Sequence, residues 1–319
     1  MAPGSSHELA CLLLTETINI SVLSMKMPVY ALFLDKMSAF DMARKEFILP
    51  AVFSAYGKAD QSLSLIANRL SHRKTFLDNS NVILGPIEDQ VGVEQGGVSS
   101  SELFLLQGSE EVITTQNSGL GINLGGVSVA SIAQADDMCL LSHTVDGLQS
   151  LANISSHQTN SRCLQLVPSK SFLLAFIPNN SSLPTASSPS IQIGSSSISL
   201  STQCEHLGVI RSSDGNMPNV LQRIAAYQAA VHGVVKAGLA DRHNGSPAAC
   251  LKAEAMYATP VLLSGLASLT LTEGEVGLLQ ASHTSTLRML QNSLLNHQEL
   301  QYIFLLVSLL SLQGYIRDS

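Results

Sequence analysis

Between Thr75 and Ser161 the chain carries neither lysine nor arginine. Ten acids fall in that stretch: Asp78, Glu88, Asp89, Glu94, Glu102, Glu110, Glu111, Asp136, Asp137 and Asp146. A surface that holds nucleic acid normally shows a basic face, so a field of this sign repels phosphate unless bound cations reverse it locally. Charge is scarce throughout. Asp, Glu, Lys and Arg make up 13% of 319 residues against 45% hydrophobic, with a net charge of −7, which excludes a disordered chain and leaves enough apolar residues for roughly two domains. Cys-x-x-Cys pairs are missing too: Cys11, Cys139, Cys163, Cys204 and Cys250 stand far apart. Their spacing argues against a zinc site and a secreted disulfide framework, and for a reducing, intracellular compartment, nuclear or cytoplasmic. The Asn-x-Ser triplets at Asn19, Asn153 and Asn180 are of the kind that a serine-rich chain produces by chance. No basic region precedes the apolar stretch at 9–23, which Glu16 interrupts, so it reads as a helix and not a signal peptide. The longest apolar run near the other end, 302–312, is about half of what a bilayer span needs. There is no internal repeat.

What is present is a sequence of alternating signals. A helix is expected from 7 to 20, with Ser5 or Ser6 as cap and Leu9, Leu12, Leu13 and Ile18 on one side. The apolar run 29–34 reads as a buried strand ending at Asp35. Helices are expected over 45–56 and 59–71, a strand and turn over 82–87, and a loop over 92–97 before a helix around 100–106. The alternation from Val127 to Ile132, with Met138-Cys139-Leu140-Leu141 beyond, predicts a hairpin whose turn carries Asp136 and Asp137. A helix over 146–160, a loop over 178–190 and a hairpin over 191–200 come next. After Asn216 the pattern is helical, over 220–237, 247–257 and 272–294, which places a domain boundary near residue 215.

Three acids carry the chemistry. An Asp at the end of an apolar strand puts a carboxylate beside the core, where it is costly unless paired or metal-bound. Ala135-Asp136-Asp137 alone is an ordinary hairpin turn. Together with Asp35 it makes a clamp for two divalent cations, which phosphoryl transfer uses to neutralise attacking and leaving oxygens. Asp41 reads as a helix cap. Gly96 and Gly97, within Gly92-Val93-Glu94-Gln95-Gly96-Gly97, either make a plain turn or let backbone approach a nucleotide, with Gln95 supplying amide hydrogen bonds. Phe40 is either core or a flat wall against a sugar, and Lys170 is either a surface lysine or a general acid towards pyrophosphate.

The order of these segments resembles the reverse transcriptase of non-LTR retrotransposons. Leu34-Asp35 with Ala39-Phe40-Asp41 is similar to that family's first palm motif, Gly92 through Ser100 with Leu103-Phe104 to the second, and Ala135-Asp136-Asp137 to the third. Leu166-Val167-Pro168-Ser169-Lys170-Ser171 resembles the fourth, and His206-Leu207-Gly208-Val209 the primer-grip strand. Residues 257–266 and Leu287-Arg288-Met289-Leu290-Gln291 are similar to the region downstream of the palm in the same elements. The chain departs from the family at Gln134, Glu94 and Ser101-Glu102. It opens in the helix before the first motif, so the basic fingers and a preceding endonuclease are expected to be absent, as in a truncated element copy.

The resemblance implies an α+β fold: a polymerase palm of ferredoxin-like antiparallel plan over 1–215, then an all-α thumb and connection over 216–319. It implies an RNA-directed DNA polymerase acting on an RNA template, a DNA primer and deoxynucleotide triphosphates, with no membrane partner. Asp35, Asp136 and Asp137 would hold two Mg²⁺ ions, Phe40 would gate the sugar, Gln95 and Gly96 would frame the nucleotide, and Lys170 would protonate pyrophosphate. The alternatives are an inactive remnant that keeps the fold, and a palm-fold enzyme acting on free nucleotides.

Overall fold

The computed structural model describes residues 7–37, 39–56, 61–71, 74–79, 82–88, 91–93, 99–178, 189–239 and 247–294. The chain divides into two compact units, Met1–Leu207 and Gly208–Ser319. The first opens with His7–Asn19 (α1), continued by a wider turn at Ile20–Ser24, and then Val29–Leu34 (β1). Helices Ala39–Met42 (α2), Lys45–Tyr56 (α3) and Gln61–Ser71 (α4) come next, then strands Lys74–Asn79 (β2) and Val82–Glu88 (β3), and helix Ser100–Asn117 (α5). Ile122–Leu124 (β4), Val127–Val129 (β5), Ser131–Gln134 (β6) and Asp137–Ser142 (β7) lead into Val145–Ser161 (α6). Phe172–Phe176 (β8), Ser190–Ile193 (β9), Ser196–Ser199 (β10) and Gln203–His206 (β11) complete the unit.

Four strands make the central sheet, in the order β6-β7-β1-β8, with every neighbouring pair antiparallel. In chain order they are β1, β6, β7 and β8, with helices between the first and second and between the third and fourth. This is the βαββαβ plan of a ferredoxin-like α+β fold. All six positions of β1 are buried, because both of its edges are paired and both of its faces covered. Tyr30, Leu32 and Leu34 join Met138, Leu140, Leu148 and Leu151 on one face. Val29, Ala31 and Phe33 join Leu14, Ile18, Cys139 and Leu141 on the other. A fully buried leucine of this kind contributes about 1.5–3 kcal/mol.

The helix α1 turns a different side to the sheet than Leu9, Leu12 and Leu13 suggest. Those three are exposed, and Ala10, Leu14 and Ile18 are the residues packed on the core. Residues 9–14 are apolar without interruption, so a 3.6-residue period has no polar face to fix it. Buried Thr15 and Thr17 satisfy their hydroxyls by donating to Cys11 O (3.0 Å) and Leu13 O (2.7 Å). The expected caps Ser5 and Ser6 lie outside the described residues. Asp41 is the third residue of α2 and not its cap. By contrast α6 is capped by Thr144, whose hydroxyl accepts from Gly147 N at 3.1 Å.

The second unit begins with Val209–Ser212 (β12), and the rest of its described residues are mainly helical. It holds Met217–Val234 (α7), Pro247–Ala253 (α8), Thr259–Leu263 (α9) and Glu273–Leu294 (α10), with a wider turn at Glu254–Ala258 between α8 and α9. Its core gathers Val220, Tyr227, Val231, Cys250, Leu262 and Leu290. Buried within it, Glu254 accepts from Tyr227 Oη (2.9 Å) and Thr259 Oγ1 (2.7 Å), with His283 Nε2 at 3.5 Å. None of the five cysteines forms a disulfide. Among the described residues no helix is long and apolar enough to cross a membrane.

Candidate active site

β1 pairs with β7 so that Leu34 stands opposite Met138. One residue further along the same register, Asp35 comes opposite Asp137, and strand alternation puts both on the face of Phe33 and Cys139. Asp136 is supplied by the turn between β6 and β7. Gln134 pairs with Asp137, which leaves Ala135 and Asp136 as a two-residue connection. Such tight hairpins need positive φ, and Ala135 adopts φ 53°. A side chain in this left-handed region costs about 1–2 kcal/mol, a strain of the sort that gathers at working sites.

The fourth motif holds Asp35 by its backbone. The Asp35 amide donates to Ser171 Oγ (3.2 Å), and its carbonyl accepts from Val167 N (2.9 Å). Ser171 Oγ in turn donates to Val167 O at 2.9 Å. Lys170 lies inside this clamp, at the end of the short helical turn Pro168–Lys170, with its side chain exposed. The structure therefore brings the Lys170 segment against Asp35.

Asp35 and Asp136 are half-buried. The carboxyl of Asp137 is pushed up from 3.8 to about 6, first by desolvation, then by the negative charges of Asp136 and Asp35. As a residue Asp137 is exposed. The desolvation is therefore that of a carboxyl crowded by its neighbours at the surface, not of a core group. The mutual repulsion is what a cation would relieve.

Asp35, Asp136 and Asp137 offer the hard oxygen donors that Mg²⁺ takes. Among the described residues no three or more His, Cys, Asp or Glu side chains are drawn together as a metal cage. Mg²⁺ is a hard ion that is commonly held by one or two carboxylates and completed by waters and substrate phosphates, so a preformed cage is not what it requires.

Phe40 is half-buried and stacks on Phe104, with ring centroids 5.2 Å apart and planes at 29°. Its neighbours are Ala43, Ile48, Val93 and Leu103, a cluster of its own beside α3 and α5. The start of the second motif is tied to this helix: Val93 N donates to Phe40 O (2.8 Å) and Gly92 N to Ala43 O (2.6 Å). Gly92 has φ 90°, and a β-carbon there would meet Asp41 O at 2.9 Å, so only glycine fits. Gln95 and Gly96 lie outside the described residues.

Two features have no counterpart in the sequence reading. Lys36, next to Asp35, reaches the other face of the sheet and pairs with Glu111 of α5, Nζ to Oε2, at 2.9 Å with both side chains buried. Arg162 likewise pairs with Glu110 at 2.6 Å. Two acids of the base-free stretch are therefore neutralised by bases from outside it, and the field is weaker than the count of ten suggests. No sequence signal joins residues so far apart.

No protein-family model and no curated protein sequence matches the chain. Among solved structures it is similar to apo telomerase from Candida Tropicalis, with 10% identity and a TM-score of 0.47 over 95% of this chain and 49% of that one. It is also similar to telomerase from Candida albicans in complex with a TWJ fragment of telomeric RNA, with 13% identity and a TM-score of 0.42 over 95% and 46%. The chain thus spans about half the length of these proteins. Matches this distant leave its function to its own residues.

Proposed function

We propose that this chain is a palm of reverse-transcriptase type, an RNA-directed DNA polymerase that extends a DNA primer on an RNA template. The observation that carries this reading is the placement of Asp35 across from Asp137 at the end of the central strand pair, with Asp136 in the adjoining strained turn. Asp35, Asp136 and Asp137 would hold two Mg²⁺ ions. Bound there, the ions supply charge neutralisation at the primer 3′-hydroxyl and at the departing pyrophosphate.

The chain's own groups position and protonate. Val167 and Ser171 fix the Asp35 backbone, so that its carboxylate needs little reorganisation to engage. Lys170, on the same clamp, donates a proton to the leaving pyrophosphate. The Phe40 ring, braced by Phe104, presents a flat wall to the nucleotide sugar, and by the resemblance Gln95 and Gly96 would frame the incoming deoxynucleotide triphosphate. The segments similar to the first four palm motifs of the non-LTR retrotransposon enzymes support this assignment.

Primer extension by the purified chain on an RNA template with Mg²⁺ tests it. Extension by at least one deoxynucleotide, lost in Asp136→Asn and in Asp35→Asn, is the expected result. No incorporation by the wild-type chain would place it instead as a remnant that keeps the fold without the activity.

A further inference from the structure

The Lys36–Glu111 pair lies directly behind the carboxylate site. Strand alternation sends Asp35 to one face of the sheet and Lys36 to the other, where α5 and α6 cover it. Glu111 receives Lys36 Nζ on Oε2 and Ser155 Oγ on Oε1 (2.5 Å), with Thr159 Oγ1 at 3.5 Å from Oε1. Ser155 also lies 3.9 Å from Met138 Sδ, beside Asp137 in the chain. Among the described residues none of Asp35, Asp136 and Asp137 forms an ion pair. The ammonium nearest them in sequence is spent on Glu111.

We propose that Glu111 is a positioning residue of the carboxylate site: by holding the Lys36 ammonium on the helix-covered face, it keeps that charge from the three carboxylates on the other side, which have no counter-charge among the described residues, and leaves them open to a divalent cation. This rests on the reading of Asp35, Asp136 and Asp137 as cation ligands. The pair is close to neutral as a unit, so the site senses it weakly while it is intact. Breaking it from either end uncovers one unit charge across a single strand. Burial makes that charge felt, since screening by water is weak there.

The sign of the effect separates this role from mere packing. Mn²⁺ binding to the full chain, followed by electron paramagnetic resonance of the free ion, reads it without any need for turnover. Glu111→Gln keeps the volume of the side chain and uncovers a positive charge, so affinity falls roughly a hundredfold, the size expected for one unit charge acting on a divalent ion across a strand at an effective dielectric of about 20. Lys36→Met uncovers a negative charge, and affinity rises by a similar factor. The double variant Lys36→Met/Glu111→Leu alters packing most but carries no net change in charge, and it binds within about twofold of wild type.

The reverse order, with Glu111→Gln unchanged and the double variant weakened, would show that the pair serves packing alone and would overturn the proposal while leaving the site intact. Mn²⁺ binding that is absent from the wild-type chain, or that survives in Asp35→Asn/Asp136→Asn, overturns the ligand assignment and the proposal with it. Circular dichroism accompanies each variant. Should Glu111→Gln fail to fold, Lys36→Met decides alone: tighter binding supports the proposal, and unchanged or weaker binding rejects it.

Discussion

Asp137 stands across from Asp35 at the open end of the β1–β7 pair, and the charge of Asp35 is one of the causes that raise the Asp137 carboxyl to about 6. A folded-state value above the ordinary 3.8 means that the folded protein binds this proton more tightly than the unfolded chain does. The contribution to stability is then fully present below about 3.8 and is lost as pH rises through about 6. Asp137→Asn removes the loss. The variant should melt above wild type at pH 7.5 and level with it near pH 4, and added Mg²⁺ should narrow the gap at pH 7.5. A variant that melts below wild type at pH 7.5 would mean that the three acids do not repel one another.

Phe40 and Phe104 give a second prediction. Phe40→Val loses the stacked ring contact and part of the packing of its cluster, at about 1–3 kcal/mol measured by urea unfolding. In extension assays the same variant should discriminate less between deoxyribo- and ribonucleotides. Unchanged discrimination alongside lowered stability would leave Phe40 as core only.

In the helical unit, burial raises the Glu254 carboxyl, but hydrogen bonds from His283, Thr259 and Tyr227 outweigh burial and hold it below 4.5. A depressed carboxyl contributes stability above its unfolded value, and this is lost as pH falls through the folded one. Glu254→Gln should cost about 1–3 kcal/mol at pH 7. The difference from wild type should shrink in acid. The Tyr227 hydroxyl is pushed well above its ordinary 10.0 by burial and then by the charge of Glu254. Phenolate absorbance should therefore show one tyrosine that titrates only on unfolding.

How much of this is legible from residues alone varies with the range of the interaction. The strand β1 is plain, because six apolar residues ending in an Asp have few other uses in a mixed fold. The turn carrying Asp136 emerges from alternation on either side of it. The buried face of α1 is not legible, since unbroken apolar residues hold no phase information. Lys36–Glu111 and Tyr227–Glu254–His283 are invisible for another reason. Each joins elements that only tertiary packing brings together, and a lone Lys or Glu in a sequence looks the same whether solvated or buried.

Nucleic-acid binding by the chain should be weak and shallow in its salt dependence. Each phosphate neutralised adds about −0.9 to the slope of log K against log salt, and a chain that gathers only a few bases should give a slope of about −3 or less in magnitude. Fluorescence anisotropy of a labelled primer–template at several salt concentrations measures it. A slope of about −10, or tight binding at about 0.2 M salt, would mean that bases outside the acid-rich stretch form a larger face than the sequence suggests.

The double pairing of β1 has a consequence for timing. Its amides are hydrogen-bonded to β7 on one side and β8 on the other, so neither edge can fray without the whole sheet coming apart. In hydrogen exchange the amides of residues 29–34 should be the last of the first unit to take up deuterium, with rates that track global opening. The β4–β5 and β2–β3 ribbons, each paired on one edge only, should exchange long before. Asp35 is joined to the end of the slowest segment. Its carboxylate can turn about its own bonds in nanoseconds, while the Cα that carries it stays in place for as long as the protein remains folded.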